Sequence, residues 1–114
     1  MKLYAQGDIV LELVDAAVPS EPINIDPDQS VVLARGEVTG HRHRFTGDSG
    51  VVMFRDDGLA RSMAPELYVG HVAVPSGGAN LVHEEHSTIA LPEGTYRIRR
   101  QREWDSAAVR VVAD

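Results

Sequence analysis

The sequence predicts an all-β fold, a small single-domain barrel, and three observations carry that prediction. The apolar content rests on Val, Leu, Ile and Ala with few aromatics, and a Val-rich composition favours strands over helices. Apolar runs are short and alternate with polar residues, as half-buried strands require. Gly, Pro, Asp and Asn punctuate these runs at regular spacing, and no long amphipathic helical pattern interrupts them. With 114 residues the chain is long enough for one core and too short for two, so residues 1–114 are expected to form one β domain.

The first predicted strand is Ile9 to Val14, following a Gly7-Asp8 turn, with Ile9, Leu11 and Leu13 alternating against Val10, Glu12 and Val14. Pro19 to Gln29 carries three prolines and reads as a loop or an extended edge. Ser30 to Gly36 is the second strand. Val51 to Phe54 is another, ended by the turn signal Asp56-Asp57-Gly58. Leu67 to Val74 is closed by Pro75-Ser76-Gly77-Gly78, and a short run, Asn80 to Val82, follows. Ser87 to Leu91 is extended, Pro92-Glu93-Gly94 turns the chain, and Thr95 to Trp104 is the longest strand candidate. Ala107 to Ala113 reads equally as a strand or a short helix.

Composition narrows the functional classes. Hydrophobic residues at 43% and charged residues at 25% match an ordinary globular chain and argue against wholesale disorder. A formal charge of −6 argues against nucleic acid or an anionic membrane surface as partner. Without cysteine there is no disulfide framework, and any metal must be held by nitrogen and oxygen. The N-terminal MKLYAQGDIVLELVD turns polar too soon for a signal peptide, and no run approaches the roughly 20 apolar residues of a membrane span, so cytoplasm is the expected compartment.

The histidines are the best lead to chemistry. Four of the five lie in two short segments, His41-Arg42-His43 and His83-Glu84-Glu85-His86. In an extended segment residues two apart share a face, so His41 and His43 point together while Arg42 and Arg44 point away. Two imidazoles on one face are a natural ligand pair for Zn, Fe, Mn or Ni, and Asp48 offers a nearby carboxylate. The plainer reading is a polar hairpin with two exposed histidines. The second segment fails the HExxH spacing of metalloproteases, and Pro75 and Pro92 leave little room for a long helix. A turn at Glu84-Glu85 instead brings one or both histidines inward; the plainer reading is a charged surface loop. Taken together, His41, His43, His83 and His86 make a candidate metal site, with Glu84 and Glu85 as acceptors for the outward ring nitrogens. His71 interrupts an apolar strand and reads as a hydrogen-bonded core residue.

A second candidate is basic. Strand alternation puts Arg97, Arg99 and Gln101 on one side and Tyr96, Ile98, Arg100 and Arg102 on the other. Guanidinium forks suit phosphate or carboxylate, so Arg97, Arg100 and Arg102 could receive an anion, although a solvated face paired with Asp and Glu is the commoner arrangement. No phosphate loop, nucleophile elbow or paired-cysteine motif is present.

Two resemblances follow. Gly36, His41, His43 and Asp48 resemble the first motif of cupins, with Asp48 where Glu is usual, and Pro75, Gly77 and His83 resemble the second, with a longer gap between the last two. That resemblance implies a small barrel holding a divalent metal. QGDIVL, VVLARGEVTGHRH, LVHEEHSTIALPEGTYRIRRQREW and VRVVAD are similar, over nearly the whole length, to a family of small uncharacterised bacterial and phage-associated proteins; this implies no particular activity. The expectation is therefore a metal-binding β domain, and, if an enzyme, a metal-dependent one acting on a small molecule. The rival expectation is a non-enzymatic accessory module recognising an anion or a protein through its arginine-rich strand. Small all-β domains often cover exposed edges by pairing, which makes a homo-oligomer one further expectation.

Overall fold

The computed structural model describes residues 2–15, 17, 19–36, 39–56, 58 and 66–101, and nine strands form among them. They are β1 (Leu3–Gln6), β2 (Ile9–Val14), β3 (Val31–Arg35), β4 (Arg42–Phe45), β5 (Val52–Phe54), β6 (Tyr68–Val74), β7 (Ala79–Leu81), β8 (Ile89–Leu91) and β9 (Gly94–Arg100). Five of them build one antiparallel sheet in the order β1-β2-β9-β6-β5, so the longest predicted strand lies at its centre. The arginine-rich β9 is flanked by β2, with Leu11 opposite Ile98, and by β6, with Val72 opposite Tyr96.

Alternation on these strands divides the sheet into two faces. Tyr4, Leu11, Tyr96, Ile98, Val72 and Met53 form the inner face and are essentially inaccessible to solvent. Two small hairpins, β3–β4 and β7–β8, cover that face and add Val31, Leu33, Phe45, Leu81 and Leu91 to the same core. The hairpins are joined by reciprocal backbone bonds, Arg44 N–H to Val82 O (3.0 Å) and Val82 N–H to Arg44 O (2.9 Å). This backbone link sets the two histidine segments side by side.

The other face of the large sheet buries Val10, Phe54, Tyr68 and His71 beside Glu12. His71 is the hydrogen-bonded core residue expected of it. The Tyr68 hydroxyl accepts the Asp56 N–H (3.0 Å) and is hydrogen-bonded to His71 Nδ1 (2.6 Å), while Phe54 stacks on the ring at 5.7 Å.

Two expectations change. The strands are all β, as predicted, but no sheet closes into a barrel among the described residues; β1 and β5 remain its edges. Closure would require β1 to pair with β5, and here the two hairpins cover the open face of the sheet instead. The strand β1 precedes the first predicted one, and Gly7-Asp8 is the turn of a β1–β2 hairpin. The predicted extension of β9 to Trp104, the Ala107–Ala113 segment and Arg102 lie outside the described residues. Among the described residues no helix is long and apolar enough to cross a membrane.

Candidate functional site

β4 and the loop after β7 carry the histidines, and the Arg44–Val82 link sets them face to face. On β4 the side chains alternate, so His43 and Phe45 are buried while Arg42 and Arg44 turn outward. His41, two residues before His43, shares its face, as the spacing predicted. Arg42 turns to the opposite side and pairs with Asp26 (2.8 Å) and Asp28 (3.2 Å). After Val82 the chain bends through Glu84, Glu85 and His86 with no helix, and the His83 ring organises that bend: its Nδ1 accepts the N–H of Glu85 (3.0 Å) and of His86 (3.3 Å).

The four rings converge. His83 lies 5.6 Å from His41, 4.4 Å from His43 and 4.7 Å from His86 between ring centroids, and His86 stacks on His43 at 5.9 Å. Burial is graded from His43 at the base, through half-buried His41 and His83, to exposed His86 at the mouth. Acidic groups ring the mouth. Glu84 Oε1 accepts the Arg42 N–H at 2.7 Å, Glu85 Oε1 lies 3.7 Å from His41 Nδ1, and Asp8 Oδ1 lies 4.0 Å from His43 Nε2. The ligand-capable atoms of His41, His83 and Glu84 all fall within 4.8 Å of one another. These are distances at which small side-chain movements bring imidazole and carboxylate onto one cation.

The residue reasoning from the sequence overlooked is Gln6. It follows Tyr4 by two positions, so it occupies the inner face at the end of β1, where it is 2% exposed. Its side-chain nitrogen donates to Leu81 O and Ser87 O, both at 3.0 Å, on either side of the HEEH loop. Its oxygen meets His43 Nδ1 at 2.9 Å. A polar residue in register with an inward-facing tyrosine was the available signal. Burial, then the charges of His83, His86 and Arg100, push His43 down to about 4 against a partly opposing Asp8, so its ring is neutral near pH 7. Glu84 is held below the usual carboxylate range, first by the Arg42 N–H.

His83 is set the other way. An imidazole whose Nδ1 accepts hydrogen bonds carries its proton on Nε2. For His83 to hold a cation through Nε2, the ring must switch to the Nδ1–H tautomer at the expense of the two turn bonds.

The remaining predicted residues disperse. Asp48 sits beyond the far end of β4 and accepts the Thr46 hydroxyl at 2.6 Å inside a turn. Arg97 belongs to the opposite sheet face, where it donates to Glu12 at 2.8 Å. Arg100, puzzling on what begins as the buried side of β9, reaches the rim and donates to Asp8 at 3.0 Å. Thus Arg97 and Arg100 each meet a carboxylate of the protein itself.

Gly7 forms one wall of the cluster. Its φ is +59°, and a Cβ there would stand 2.8 Å from His86 Nε2 and 3.2 Å from His43 Cε1. Gly7→Ala is therefore expected to cost about 1–2 kcal/mol from the left-handed backbone alone and to displace the His86 ring. Thermal unfolding and the His86 imidazole NMR signals would check it; unchanged His86 signals would contradict the placement.

A family model matches residues 5–101, a span that includes Gln6, Gly7 and all four clustered histidines. The chain belongs to that family, described as Domain of unknown function (DUF8820). No curated protein and no solved structure matches it. Family membership thus establishes an uncharacterised domain and leaves the chemistry to be argued from the site.

Proposed function

We propose that this domain binds a divalent transition metal in the histidine cluster, with imidazoles of His41, His43, His83 and His86 as the ligand pool and Glu84 as the nearest carboxylate. The observation that carries the reading is the convergence of four imidazoles from two separate segments, ring against ring, beside three carboxylates. Imidazole nitrogen suits Zn, Fe and Ni, and a mixed imidazole–carboxylate set extends to Mn. The acidic rim favours a cation over an anion, and His86 and the three carboxylates lie on the solvent side of the cluster. A coordination position left open to solvent would let the metal polarise a small molecule or activate water.

The test is elemental analysis of protein expressed with Zn, Mn, Fe and Ni present, followed by calorimetric zinc titration of the metal-free protein. Stoichiometric metal is expected in the wild type. His41→Ala and His43→Ala, checked for retained folding by circular dichroism, are each expected to lose it. A wild-type protein that carries no metal and shows no zinc-induced heat or histidine NMR shift would overturn the proposal.

A further inference from the structure

We infer that Gln6 is a positioning residue: it commits His43 to the Nδ1–H tautomer and so leaves its Nε2 lone pair, on the side of Asp8, as a pre-set ligand position. The inference rests on the metal reading above for its functional meaning, but the tautomer can be tested without any metal.

The argument is one of donor and acceptor roles. A Gln side chain has an N–H₂ that only donates and an oxygen that only accepts. One terminal atom of Gln6 faces two backbone carbonyls, Leu81 O and Ser87 O, each at 3.0 Å. Carbonyls accept only, so that atom must be the nitrogen, and the amide cannot be turned round without setting its oxygen against two others. The oxygen is thereby fixed toward His43 Nδ1 at 2.9 Å, and it requires a proton there. A neutral ring protonated at Nδ1 has its lone pair on Nε2, the atom facing Asp8 across 4.0 Å.

The same amide thus ties three segments together: the end of β1, the middle of β4, and both flanks of the HEEH loop. Because Gln6 is buried, no water competes for its oxygen. Outer partners of this kind fix both ring orientation and tautomer in metal-binding histidines, and their loss typically weakens metal binding by about 10- to 100-fold. The contrast with His83 gives the inference its content. His43 already has its Nε2 lone pair free, whereas His83 must change tautomer and give up its two turn bonds to ligate through Nε2. His43 is therefore the ring whose tautomer the fold presets, while the tightest set of ligand atoms is that of His41, His83 and Glu84.

Long-range ¹H–¹⁵N correlation spectra of the metal-free protein at pH 7 read the tautomer of each histidine directly. Wild-type His43 is expected as Nδ1–H; a majority Nε2–H form would overturn the inference outright. Gln6→Leu removes the acceptor and is expected to shift His43 toward Nε2–H and to weaken zinc binding by about 10- to 100-fold. Gln6→Glu keeps an acceptor while losing the bonds to Leu81 and Ser87, so it should retain the Nδ1–H form and bind zinc better than Gln6→Leu. Equal zinc loss in both variants with an unchanged tautomer would make Gln6 a loop tie only and overturn the inference. If Gln6→Leu fails to fold, the wild-type His43 tautomer decides. A tautomer that follows residue 6 in a wild type that binds no zinc would sink the metal reading alone.

Discussion

Glu12→Ala is expected to destabilise the fold by about 3 kcal/mol, the lower end of the cost of breaking a buried ion pair from one side. Glu12 lies on the outer face of β2 directly opposite Arg97 of β9, and its side chain is 8% exposed. Arg97 Nη2 donates to one carboxylate oxygen and Arg99 Nε to the other, both at 2.8 Å. Burial alone would raise the Glu12 pKa, but the hydrogen bonds and charges of the two arginines outweigh it and hold the carboxyl below its ordinary range. Removing it leaves two guanidiniums in a partly desolvated layer beside Val10, Phe54 and His71 without the carboxylate they share. Their side chains keep 23% and 17% exposure, so water recovers part of the loss, which is why the lower end applies. Glu12→Gln keeps the acceptor oxygen and discards the charge, so it should cost clearly less. Urea denaturation of the two variants gives the comparison; a loss under about 1 kcal/mol for Glu12→Ala would show this cluster to be no stronger than a surface pair.

That cluster also shows how far the sequence could be read. Alternation in YRIRRQREW placed Tyr96 and Ile98 inward and Arg97 and Arg99 outward, because period-two patterning needs only the local backbone. The pairing of Arg97 and Arg99 with Glu12 was not legible, since 85 residues separate Arg97 from Glu12 and only the strand order brings β2 beside β9. The histidine site divides along the same line. That His41 and His43 share a face follows from spacing, and that HEEH is a bend follows from the flanking Pro75, Gly77 and Pro92. That the two segments meet depends on the Arg44–Val82 link between hairpins, which leaves no mark in the sequence. Asp48 was chosen for proximity along the chain, yet β4 runs away from the site toward it. Gln6 carries no motif, and its one signal, the two-residue spacing from Tyr4, becomes readable only once β1 is known to be a strand. A barrel was the natural expectation from strand number, but closure is a property of pairing, and β3, β4, β7 and β8 pair off as hairpins instead.

Lowering the pH from 7 to 4.5 in the absence of metal is expected to remove roughly 2–3 kcal/mol of stability through His43 alone. Its pKa is pushed from 6.5 to about 4 in the folded protein, first by burial and then by neighbouring His83. Between these values the unfolded chain takes up a proton that the folded protein refuses. Stability from this group is therefore fully present above about pH 6.5, falls as the pH drops through the window, and falls no further below about 4. His71 acts with the same sign: burial lowers its pKa, Arg97 adds to this, and Asp56 partly opposes it. Glu12 enters later, because its contribution is lost only as the pH falls below the ordinary carboxylate value of 4.5. Urea denaturation at pH 7, 5.5 and 4.5 would trace the loss, with His43→Asn as the control that lacks the titrating ring. The variant's curve should be flatter over this window; an unchanged slope would move the acid sensitivity from His43 to His71. Zinc sharpens the test, because a cation and a proton compete for the same Nε2 lone pair. Saturating zinc should shift the loss to lower pH in the wild type and leave the His43→Asn curve where it was.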